Sequence, residues 1–64
     1  MDMGQGEVLR VLKPKHWKKV KEIMDETGIQ RRSVNQSLVR LEKQNFVEKK
    51  SIGHRQFVWR SVSP

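Results

Sequence analysis

Apolar positions along this chain fall into three helical stripes followed by two strand-like runs. Val8, Leu9, Val11 and Leu12 recur at i, i+1, i+3 and i+4, the stripe of an amphipathic helix that begins near Gly6 and carries Glu7 in its first turn. Pro14 ends it, because the residue before a proline avoids the helical region. Residues 15–18 read as a brief extended link. A second helix over residues 19–27 follows from Val20, Ile23 and Met24, closed by Thr27-Gly28, with Ile29 inside the turn. The third helix is the clearest: Val34, Leu38 and Leu41 recur at i, i+4 and i+7 across residues 30–44, and Asn45 is suited to a left-handed cap.

Two strands are predicted beyond it, residues 46–50 and residues 55–60, the second rich in aromatic and β-branched side chains. Residues 51–54 form the hairpin loop between them, with Gly53 free to take positive φ. Residues 1–5 are a polar start without periodicity and are expected to fray, and residues 61–64 are a tail. An isolated two-stranded hairpin is unstable, so one of its faces must lie on the helices. The expected fold class is therefore α+β, a single domain over residues 6–60. Its core would comprise Val8, Leu9, Leu12, Trp17, Val20, Ile23, Met24, Ile29, Val34, Leu38, Leu41, Phe46, Phe57 and Trp59.

Composition narrows the functional classes. The 64 residues leave room for one small core, and there is no cysteine to staple it through a disulfide or a thiolate-bound metal. Two histidines far apart in the chain do not make a structural zinc site. Fourteen Lys and Arg against seven Asp and Glu give a formal charge of +7, a balance that attracts polyanions. Apart from Phe57-Val58-Trp59, no apolar run exceeds two residues, so no membrane span is expected, nor any export signal. A cytoplasmic, nucleoid-associated location fits. No acid pair, nucleophile–base spacing, glycine-rich phosphate loop or metal cluster points to an enzyme, a cofactor or a small-molecule substrate.

With these elements in order, the chain resembles the winged helix-turn-helix family of minimal prokaryotic or archaeal transcription regulators. Residues 20–34, from Val20 through Thr27-Gly28-Ile29 to Val34, look like its helix-turn-helix segment. Residues 34–47 look like the recognition helix running into the first wing strand, and residues 53–59 are similar to the wing hairpin. The resemblance covers residues 6–60 and implies three helices packed against a two- or three-stranded antiparallel wing sheet. It also implies double-stranded DNA as the partner and transcription regulation as the role. The chain departs from the family's pattern at two helix starts, where Ser or Thr usually caps free backbone N–H groups. Those places hold Lys18 or Lys19, and Gln30. Cations there oppose the helix dipole, a cost that phosphates beside Lys18, Lys19, Arg31 and Arg32 would offset.

At 100° per residue, Leu38 and Leu41 stay within about 40° of Val34, so the opposite face of the third helix carries Arg32, Gln36, Val39 and Lys43, flanked by Asn35 and Arg40. That face holds no acid. Arg bonds bidentately to guanine, and Asn and Gln to adenine, which assigns base contacts to Arg32, Asn35 and Gln36. Arg31, Ser33, Arg40 and Lys43 lie nearer the DNA backbone, as do Lys18 and Lys19. Lys49 and Lys50 either meet phosphates or discourage edge pairing of the hairpin. Gly53, His54 and Arg55 form the wing tip, where Arg55 could enter a narrow minor groove. Trp17 and Trp59 are assigned to the core, and His16 to a structural role.

Two other classes fit the same residues. A protein-docking module of a larger nucleic-acid-processing assembly would use exposed Val39, Val58 and Val62, and an RNA-binding winged helix would use the same charge. A homodimer through the apolar first helix would supply two half-sites.

Overall fold

The computed structural model describes residues 3–62. The chain forms α1 (Met3–Val11), β1 (Lys18–Lys19), α2 (Val20–Thr27), α3 (Arg31–Lys43), β2 (Val47–Gly53) and β3 (Gln56–Ser61). The three helices pack against a three-stranded antiparallel sheet of order β1-β3-β2. The α+β class read from the pattern holds, and the two-residue β1, read only as an extended link, is the sheet's third strand.

Helix–helix packing uses the stripes that the periodicity marks. Val8 and Leu12 from the first helical segment, Ile23 from α2, and Val34, Leu38 and Leu41 from α3 are all buried in one cluster, completed by Val47 and Trp59 from the sheet. Leu9, Val11, Val20, Met24 and Ile29 pack around its rim. The first helix starts at Met3, three residues ahead of the predicted start and inside the stretch expected to fray. Its early turn lies beside the end of α3, where Gln5 Nε2 meets Gln44 Oε1 at 3.4 Å, and tertiary support there outweighs the poor propensity of Gly4 and Gly6.

The ends of α2 and α3 differ chemically. Gly28 closes α2 at φ 74°, its N–H bonding Met24 O at 2.8 Å. Asn45 takes φ 64° after α3, with Asn45 N–H to Glu42 O at 3.0 Å and Phe46 N–H to Leu41 O at 2.9 Å, a Schellman closure. At the start of α2, Lys19 offers no acceptor of its own, but Glu22 Oε1 reaches back to its N–H at 3.1 Å. That bond satisfies the Lys19 N–H but not the first-turn N–H groups that a capping Ser or Thr would accept from. The start of α3 has no counterpart: Gln30 makes no side-chain cap bond and the first turn carries no acid. Gln30 already has extended backbone, φ −66° and ψ 151°, which suits a capping serine. Gln30→Ser should therefore add about 1 kcal/mol, raising the melting temperature by roughly 4–8 °C. A circular-dichroism melt checks this, and an unchanged midpoint would mean the free N–H groups are already satisfied.

The sheet corrects the assignment of aromatic residues. In register, Trp59 sits between Lys18 and Lys49, and Val58 between Lys19 and Lys50. Alternation then puts Val47, Trp59 and Ser61 on the helix side, with Glu48, Lys50, Val58 and Arg60 on the outer side. Trp17 lies outside too, with Lys50 Nζ at 5.2 Å and the Arg60 guanidinium at 4.5 Å from its ring centroid, so it covers the sheet instead of filling the helical core. Val58, expected to be exposed, is buried; Phe46 and Phe57, expected in the core, are 44% and 42% exposed. Ser37 and Val47, absent from the expected core, are buried. The strands also extend further than predicted, leaving His54 and Arg55 as the turn and a register shift between Ser51 and Gly53. Ser61, read as the start of the tail, belongs to β3, and Val62 N–H bonds Phe46 O at 3.0 Å. Residues 63 and 64 of that end lie outside the described residues.

Candidate nucleic-acid interface

The sequence folds so that three separate segments converge on one concavity. A groove of about 360 Å³ runs between the start of α2, which contributes Lys19, Val20 and Lys21, and the first two turns of α3, which contribute Arg31 and Asn35. Its far wall is the hairpin, with Arg55, Gln56, Phe57 and Trp59. Four cations line it and no carboxylate does. Like charges gathered without counter-ions create a positive potential that an anionic ligand relieves.

Each wall has a local cause. Gly28 in left-handed conformation turns the chain sharply between α2 and α3, setting the first turn of α3 close to that of α2. Glu22, spent on the Lys19 N–H, is absent from the groove lining. At the hairpin tip Arg55 holds φ 59°, unusual for a residue with a Cβ, and its side chain lines the groove. Trp59 spans groove wall and core; its buried Nε1 is the one such side-chain atom without a hydrogen-bond partner among the described residues.

The expected site residues divide into three groups. Lys19, Arg31, Asn35 and Arg55 meet at the groove. Arg32, Ser33, Gln36, Arg40 and Lys43 are exposed on α3 outside it, beside Val39, and Gly53 and His54 are exposed at the hairpin end. Lys18 and Lys50 are engaged elsewhere, and Lys49 lies over two rings of the groove wall without lining the groove itself. The Lys18 ammonium bonds Glu26 at 2.7 and 2.5 Å, with its side chain only 15% exposed. Lys49 Nζ sits 4.8 Å from the Phe57 ring centroid and 5.6 Å from that of Trp59. Lys50 lies over Trp17 on the outer side of the sheet.

Sequence reasoning missed Lys21, Gln56 and Phe57. For Lys21 the only local signal was an exposed cation in the first turn of α2. Phe57 was hidden by its chemistry, since an aromatic in an apolar run reads as core.

Among the described residues, no cluster of three or more His, Asp or Glu could hold a metal ion, and no helix is long and apolar enough to cross a membrane. The chain matches no protein-family model, and no curated protein matches it. The functional reading therefore rests on the groove's own chemistry.

Proposed function

We propose that the protein is a winged helix-turn-helix domain that binds double-stranded DNA and regulates transcription, with α2 and α3 as the helix-turn-helix and the β2–β3 hairpin as the wing. The observation that carries this reading is the acid-free groove joining the first turns of α3 to the hairpin. In this arrangement a phosphate backbone runs along Lys19, Lys21, Arg31 and Arg55, while the outward face of α3 enters the major groove. A 13-residue helix is about 20 Å long, enough to lie across several base pairs. Arg32 and Gln36, exposed beside the groove, and Asn35, at its edge, reach base edges. A DNA duplex suits this shape better than an RNA duplex, whose major groove is too deep and narrow for a helix.

The chain's first helix gives little support to a homodimer. Val8 and Leu12 are buried within the domain, and Leu9 and Val11 pack on the same cluster.

An amide-shift titration with a short generic duplex tests the reading. Shifts should concentrate on residues 31–36, on Lys19 and Lys21, and on the hairpin turn. Perturbation confined to another face, or none at low ionic strength, would overturn it. Arg32→Ala should lower affinity by about 1–3 kcal/mol on the preferred sequence and relax discrimination at one base position. Equal loss on every sequence would reassign Arg32 to a phosphate.

A further inference from the structure

Phe57 is the groove residue that a fully paired duplex does not call for. The residue is 42% exposed, although the same strand buries Val58 and Trp59 on either face. It lies in the wall of a groove carrying four cations and no acid. Phosphates satisfy the cations but offer no flat apolar surface to cover the ring. A base offers one only after leaving the stack, and aromatic side chains beside cations are how single-stranded nucleic acid is commonly held.

Two more observations point the same way. The groove, at about 360 Å³, falls at the small end of the roughly 300–1,000 Å³ typical of small-ligand sites. That volume is of the order of one nucleotide and far below that of a double helix. Gln56 brings an amide donor and acceptor into it, the groups that read a free base edge. The other exposed large apolar residues, such as Phe46 and Ile52, are outside the groove and have none of these neighbours.

We infer that the groove takes a nucleotide whose base is unpaired and stacks it on Phe57, so that the protein favours a duplex joined to a single strand over a fully paired one. The inference rests on the DNA-binding reading above: α3 and the groove cations hold the paired part and its phosphates, and the first nucleotide beyond it lies against Phe57. The Lys49 ammonium covers one face of the Phe57 ring at 4.8 Å from its centroid, so the base stacks on the other face or displaces it.

Fluorescence anisotropy on a blunt duplex, and on the same duplex carrying a short single-stranded extension, separates the two claims. At fixed low salt the extension should tighten binding about tenfold. Phe57→Ala should bring the ratio of the two affinities close to one, and Phe57→Tyr, which keeps the ring, should preserve it. Melting curves of both variants report whether the fold survives, and the wild-type ratio decides the matter alone if Phe57→Ala does not fold. Equal wild-type affinity for the two DNAs would overturn the stacking inference and leave duplex binding standing. Retention of the preference in a folded Phe57→Ala would overturn it as well. Failure to bind either DNA would bring down both readings.

Discussion

Leu38→Ala should leave the chain without a cooperative thermal transition. Leu38 is fully buried at the centre of α3, in one cluster with Val8, Ile23, Val34 and Leu41. Truncating such a leucine removes apolar contact and leaves a cavity that the surroundings only partly fill, at a cost of about 2–5 kcal/mol. A chain of 64 residues, at 0.05–0.15 kcal/mol per residue, has a total stability of roughly 3–10 kcal/mol. With no cysteine to cross-link it, the domain stands toward the lower end of that range. One substitution thus removes most of the margin, and far-ultraviolet circular dichroism should show a broad, early loss of helix. Val39→Ala is the matched control: it sits one residue along the same helix, is 47% exposed, and should change stability by no more than about 0.5 kcal/mol. A sharp melt retained by Leu38→Ala would mean that the buried stripe of α3 lies elsewhere.

The contrast between Leu38 and Val39 also shows why the helices could be read from the sequence. A helix repeats its buried position every three to four residues, so Val34, Leu38 and Leu41 agree on one direction and fix the phase. Ser37 shares that direction and is buried, but a lone hydroxyl inside the stripe looks like a surface residue. In the strands, alternation sets the phase, and here it is absent: Phe57, Val58 and Trp59 are consecutive apolar residues, so either face could have been the inner one. Trp59 faced the helices as expected, yet Phe57 on the same side reaches beyond them, toward the hairpin end. Phe46 lies just past the left-handed Asn45 and ahead of the strand, leaving Val47 to enter the core.

The groove was legible only in part, for a different reason. Arg31, Asn35 and Arg55 announce themselves as an acid-poor helix face and a basic turn. Their meeting with Lys19 and Lys21 depends on the Gly28 turn and on how the sheet stands against α2 and α3. Pairings such as Lys18 with Glu26, eight residues apart across β1 and α2, likewise depend on how the elements pack. The sequence counts fourteen cations but does not say which are already partnered.

That distinction produces the second large effect, a duplex affinity that falls at least a hundredfold between about 50 and 200 mM salt. Each phosphate neutralised releases condensed counter-ions, so log affinity declines with log salt at a slope of about −0.9 per contact. The four groove cations give a slope near −3.6, or roughly 150-fold over a fourfold rise in salt, and cations on the outward face of α3 steepen it. Replacing Lys19, Lys21, Arg31 or Arg55 singly by glutamine should flatten the slope by about one, with losses that add because each meets its own phosphate. Lys18→Gln and Lys50→Gln should leave it unchanged, since Glu26 and the Trp17 ring already hold those ammonium groups away from the groove. Net charge falls by the same amount in all six variants, so a protein that merely attracts polyanions through its overall charge would respond alike to each. A slope indifferent to position would sink the groove as the anion path; a slope that separates the two sets makes placement, and not total charge, the cause of binding.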